Sequence, residues 1–228
     1  RGCGGDRATT SSAERALVSD LRLVGLARDG AVADLDRMRI EQIRPSSSFA
    51  DGQGVAAFGC ADVSANAMHI DTTADAGIFV FLSTFAGTEL SVTRALRGMS
   101  VQEGADVSIA GFVASDNEAA GVVAAGGTTL ALQRAAVSTT RTAPVPCLVN
   151  GVSAGSVSLG HGMLFAPGAA LELTDVTLAD NELAPLVIAR EASGSLIDVT
   201  SEGDDAMAGL HVVKYLGGPL PSTAGATP

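Results

Sequence analysis

The sequence predicts an all-β solenoid of stacked coils. Three observations carry this: an apolar pattern that returns at nearly fixed spacing, a glycine that precedes it by six residues, and alternation of period two inside each unit. Counted from Gly168, apolar residues follow at +3, +5, +8 and +10, as Leu171, Leu173, Val176 and Leu178. Gly104 gives Val107, Ile109, Phe112 and Ala114, and Gly127 gives Leu130, Leu132, Ala135 and Val137. Gly30 gives Ala33, Leu35, Met38 and Ile40; Cys60 gives Val63, Ala65, Met68 and Ile70; Gly87 gives Leu90, Val92 and Ala95.

The first pair of each set is spaced by two residues, which reads as a strand with one face inward. The skip to the second pair reads as a bend, and the second pair as another strand. A third short strand follows an anchor six residues before the next start: Gly54-Val55, Gly98-Met99, Gly121-Val122 and Gly162-Met163, with Gly77-Ile78 and Gly209-Leu210 slightly shifted and Pro185-Leu186 lacking the glycine. The anchors are roughly 23 residues apart, the period of a structural repeat. The step from 121 to 162 fits one coil carrying a long loop through Thr139–Pro144, with two degenerate coils as the alternative. Asn117, Asn181 and Asp204 fall at +13, a turn position where such side chains tolerate left-handed backbone and bond their own main chain. One coil cannot bury its own apolar face, so the core is made by stacking.

The repeat resembles the right-handed parallel β-helix of the pectate-lyase-like superfamily. The phrases GAALELTDVTLADNELAPLVIA and GADVSIAGFVASDNEAAGVVAAGG are similar to β-helix repeats in large secreted or surface proteins of myxobacteria and related high-GC bacteria. The resemblance runs from about Leu17 to Val213 and implies about 7–9 coils with three short strands each. It leaves function open, because this fold hosts lyases, hydrolases, adhesins and tailspikes. The expected organisation is an extended or disordered segment over 1–15, one β-helix domain over 16–215, and a linker-like tail over 216–228 rich in Gly, Pro, Ser and Thr. Both ends suggest a segment of a longer polypeptide.

A formal net charge of −11 argues against nucleic acid and against an anionic membrane surface, since phosphate binding rests on clustered Lys and Arg. No run of eighteen apolar residues is present to cross a membrane. Cys3, Cys60 and Cys147 have no CxxC spacing, which disfavours zinc, and Cys60 and Cys147 lie too many coils apart to be paired.

The candidate chemistry is sparse. His69 and His211 alternate with inward residues and should face solvent. Gly160-His161-Gly162 resembles the Gly-His-Gly motif of polygalacturonases, and Asp204-Asp205 resembles their acid pair, but the order is reversed and their Asn-Thr-Asp and Arg-Ile-Lys motifs are absent. Gly151-Val152-Ser153-Ala154-Gly155 has the letters of a nucleophile elbow without the strand-to-helix turn that motif needs. Sugar platforms are scarce: no Trp, one tyrosine at Tyr215, and a cluster of Phe79, Phe81 and Phe85 that is expected in the core, with Phe79 the candidate for exposure.

One metal hypothesis stands. At +2, Asp62, Glu89 and Asp106 would form a row of carboxylates about 4.8 Å apart, which a calcium ion would stabilise, with Arg94 and Arg97 as nearby bases. No catalytic constellation and no cofactor motif is assigned. The reading is therefore a non-catalytic extracellular or cell-surface module, a spacer or adhesion element displaying loops such as Ser46–Gly54 and Thr139–Gly160 to surface proteins or polysaccharide. The alternative is a polysaccharide-active lyase or hydrolase.

Overall fold

The computed structural model of the protein describes residues 10–20, 24–45, 52–149, 152–202 and 222–224. All regular structure among them is strand: β1 (Thr10–Glu14), β2 (Leu17–Ser19), β3 (Val24–Asp29), β4 (Val32–Asp36), β5 (Arg39–Ile43), β6 (Gln53–Phe58), β7 (Asp62–Phe81), β8 (Thr84–Gln102), β9 (Asp106–Ser115), β10 (Ala120–Ala125), β11 (Thr129–Ser138), β12 (Ala143–Val149), β13 (Val152–Leu159), β14 (His161–Phe165), β15 (Ala170–Ala179), β16 (Leu186–Ile188), β17 (Ser193–Glu202) and β18 (Ser222–Ala224).

These strands wind into a parallel β-helix of about seven turns, as the repeat predicts. The first face stacks β1, β4, the starts of β7 and β8, then β9, β11, β15 and β17. The second continues through β2, β5 and the middles of β7 and β8. The third stacks β3, β6, the ends of β7 and β8, β10, β14 and β16. The first rung begins at Thr10, paired with Val32, so residues 10–15 belong to the solenoid rather than to a preceding segment. Ser222–Ala224, in the expected tail, pairs with β17.

Outside the coil that the sequence counts from Gly87, the inward ladders fall where the sequence places them. Val63, Phe85, Val107, Leu130 and Leu171 stack at one position, and Met68, Leu90, Phe112, Ala135 and Val176 at another, all buried. Burial of each large side chain is worth about 1.5–3 kcal/mol. The coil turns at single residues in left-handed backbone. One corner carries Arg37, Ala67, Glu89, Arg134 and Asp175, and the next Gln42, Thr72, Arg94, Asp116 and Asp180, with φ between +50° and +57°. A one-residue corner lets β7 and β8 run through two bends unbroken.

The register corrects one coil. Gly87 is not its start: Thr84 pairs with both Asp62 and Asp106, so Leu82 takes the place of Cys60 and Gly104. Gly87 is an inward residue between Ala65 and Ile109, and its missing side chain leaves the space that Leu90 Cδ1 fills.

The step from 121 to 162 is one coil with an insertion. β12 and β13 form a separate antiparallel hairpin in which Val149 pairs with Val152 across Asn150-Gly151. That dipeptide is the strongest short hairpin signal. The expected long loop is a β-ribbon, and Ser153 sits in its second strand with no helix following.

The glycine anchors form a true ladder: Gly54, Gly77, Gly98, Gly121 and Gly162 precede residues that pair in register. A Cβ on Gly98 would lie 2.4 Å from the Gly121 carbonyl oxygen, and one on Gly121 2.7 Å from that of Gly162.

Candidate functional site: the polar groove of the first face

Outward residues of the first face alternate with the inward ladder. At one position stand Asp34, Ser64, Ala86, Ser108, Ala131 and Glu172, and two residues on stand Asp36, Asn66, Thr88, Ala110, Gln133 and Thr174. They line two open grooves of about 450 and 230 Å³ that share Ser108 and Ala110. Six rungs at about 4.8 Å each give a trough some 24 Å long, parallel to the solenoid axis. Three of its central positions are alanines, Ala86, Ala110 and Ala131, which leave room along its floor.

The polar groups are already ordered by one another. Asn66 Nδ2 donates to Asp36 Oδ1 at 2.7 Å, Thr88 Oγ1 donates to Asn66 Oδ1 at 2.9 Å, and Ser64 donates to Asp34. Arg37, at the adjacent corner, pairs with Asp36 and with Glu14. The lining thus presents carboxylates, amides and hydroxyls, and no cationic side chain. Such a surface accepts and donates hydrogen bonds to neutral hydroxyls and repels anions.

The second face holds a denser cluster. His69 Nδ1 lies 2.7 Å from Ser91 Oγ on the neighbouring rung. Asp71, two residues along, accepts from Thr93 at 2.8 Å and from Thr72 at 3.3 Å, and pairs with Arg94. Burial alone would raise the Asp71 pKa, but the Thr93 hydroxyl and the Arg94 guanidinium outweigh it and hold the carboxyl below its usual range. With Asp71 committed to these partners, it does not orient His69, and Ser91 lacks the relay that activates a nucleophile.

The proposed acidic row does not assemble. Asp62 and Asp106 flank Thr84 in one column, two rungs or about 10 Å apart. Glu89 sits five positions further along its coil, at the left-handed corner. Its carboxylate lies over Gly111 and reaches Arg134 at 3.6 Å. Calcium–oxygen distances of about 2.3–2.6 Å cannot span that arrangement. Among the described residues no cluster of three or more His, Cys, Asp or Glu could hold a metal. Arg94 pairs with Asp71 and Arg97 with the buried Asp75, which Gln53 also contacts at 3.2 Å, so neither base faces the row.

No family profile matches the chain, and no curated protein matches it. Among solved structures, the A-module of a mannuronan C-5 epimerase from Azotobacter vinelandii is similar, with 9% identity, a TM-score of 0.32, and coverage of 96% of this chain and 90% of that one.

His161 is half-buried at the root of the hairpin, and its Nδ1 accepts from Ala184 N–H at 3.2 Å. Burial disfavours the charged imidazolium and holds the His161 pKa below its ordinary value. His211, Asp204, Asp205 and Tyr215 lie outside the described residues. Phe85 is core, whereas Phe79 and Phe81 lie half-buried on the outer side of the third face with rings 6.4 Å apart and nearly parallel. Cys60 is half of a disulfide. The groove residues Asp34, Asp36, Gln133 and Glu172 were legible as the even offsets between inward residues, a signal that a search for known motifs passes over.

Proposed function

We propose that this chain is a rigid, non-catalytic β-helix module that binds an extended, uncharged polysaccharide along its first face. The observation that carries this reading is the cation-free groove of hydroxyls, amides and carboxylates running along six rungs. A linear polymer laid along the axis meets the same hydrogen-bonding pattern at each rung, and the rigid stack holds it without an ordering cost to the protein. The acids at Asp34, Asp36 and Glu172 disfavour polyuronates. The disulfide at Cys60 and the resemblance of the repeats to bacterial surface β-helices support an extracellular or cell-surface setting.

Affinity electrophoresis through gels carrying neutral or uronic-acid polysaccharides tests the proposal. A neutral polymer should retard the wild-type protein, and Asn66→Leu combined with Gln133→Leu should abolish the retardation. Equal mobility in every gel would sink the binding reading. Release of reducing or unsaturated sugar ends by the wild type would instead establish the lyase or hydrolase alternative.

A further inference from the structure

The β12–β13 hairpin stands apart from the solenoid. It forms its own two-stranded sheet and, among the described residues, is hydrogen-bonded to no other strand. Its root is held to the coil: Leu183 N–H donates to the Gly160 carbonyl at 3.0 Å, and Thr142 N–H donates to the Glu182 carboxylate. An isolated two-stranded ribbon is marginally stable in water at best. From Thr142 to Gly160 the sequence has no charged residue, in a chain with a formal charge of −11. Exposed strand edges are ordinarily protected by charge, and here there is none.

The two edges of the ribbon are not equivalent. Pro144 pairs with Ser158 and Pro146 with Ser156. Proline has no N–H, so these must be the non-hydrogen-bonded pairs of the ladder, with Val145 and Val157 exchanging the bonds between the strands. The outward positions of β12 are therefore prolines, and that edge cannot donate there. On β13 the outward main-chain groups are those of Ser156 and Ser158, both exposed, and Val157 between them is 45% exposed.

We propose that the free edge of β13 is a homotypic docking edge that pairs with the same strand of a second copy. Antiparallel pairing about a two-fold axis at Val157 sets Ser156 against Ser158 of the other copy and the reverse, so each copy supplies two N–H donors and two carbonyl acceptors. Such an interface is self-complementary by symmetry. The charge distribution selects this occupant: two acidic bodies repel wherever their charged surfaces meet, and the uncharged arm lets two copies join while holding the bodies apart.

Sedimentation velocity of the full chain over a hundredfold concentration range tests this. The wild type should pass from monomer to dimer, and more tightly at higher salt as repulsion between the bodies is screened. Ser156→Pro removes an outward donor without touching the β12 ladder and should leave a monomer. Val157→Glu keeps the main chain intact, places like charges at the axis, and should weaken dimerisation at least tenfold. Pro144→Ser should leave the dimer unchanged. Circular dichroism confirms that each variant retains the β-helix. A wild type that stays monomeric throughout overturns the proposal, as does a dimer indifferent to both Ser156→Pro and Val157→Glu.

Discussion

Asn117 Oδ1 accepts a 3.1 Å hydrogen bond from the main-chain N–H of Ala95, the residue at the same corner one coil earlier. Asn181 repeats the arrangement, accepting from Thr140 N–H at 3.3 Å and donating to the Val137 carbonyl at 3.3 Å. The left-handed residue of this corner is the one before, Asp116 or Asp180. These asparagines thus do not bond their own turn. They point inward, Asn117 fully buried, and satisfy amides that the bend withdraws from the sheet ladder.

Replacing Asn117 with alanine should therefore destabilise the protein by about 2 kcal/mol, the cost of a buried N–H left without an acceptor. Urea denaturation measures this as a lower midpoint at unchanged slope. A loss below about 0.5 kcal/mol would show that water replaces the amide at this corner.

Two glycines separate space from backbone strain. At Gly98 a Cβ meets the Gly121 carbonyl at 2.4 Å, a main-chain atom that cannot yield without parting two coils. At Gly111 the φ is +79°, and the nearest atom to a Cβ is the Glu89 carboxylate, which can swing away. Gly111→Ala should cost about 1 kcal/mol, the penalty of left-handed backbone. Gly98→Ala should cost about 3 kcal/mol, as overpacking does. Thermal melts of the two variants compare them directly, and equal losses would contradict the glycine ladder.

The contrast explains what the chain could reveal as a string of letters. Inward ladders such as Val107, Leu130 and Leu171 were legible because every such position faces the same dry core, so apolarity repeats with the coil. The coil from Leu82 was misplaced by five residues because its start is leucine and its inward position is Gly87, a small residue matched to Leu90 across the core. That exchange of volume within one coil has no sequence period. The acidic row fell with it, since Glu89 was placed by the false start. The groove at Asp36 and Asn66 was partly legible as polarity at even offsets, but its continuity depends on register between coils, which only pairing fixes.

The Arg97–Asp75 pair has side chains only 21% and 10% exposed, whereas those of Arg134 and Glu89 are 58% and 66% exposed. Asp75→Ala strands a mostly buried guanidinium and should cost about 3 kcal/mol. Exposed pairs are worth little, so Glu89→Ala should change stability by less than about 1 kcal/mol. Chemical denaturation of both variants checks the ranking. A cost for Asp75→Ala no larger than that of Glu89→Ala would mean that Arg97 escapes to water through the corner.

Acidification should act first at His161. Burial depresses its pKa below the ordinary 6.5, and the neutral ring accepts from Ala184 N–H. A folded-state pKa below the unfolded value means that the unfolded chain binds the proton more readily. The stabilisation is complete above pH 6.5 and is lost as pH falls below it towards the folded-state value. Asp71, also depressed, contributes fully above its ordinary 3.8 and weakens only as pH falls below that, so its window is separate. The melting temperature should therefore drop between pH 7.5 and 5.0, and His161→Gln, which cannot titrate, should lower the pH 7.5 value while flattening that drop. A variant whose melting temperature falls as steeply as the wild type over this range would remove His161 as the source.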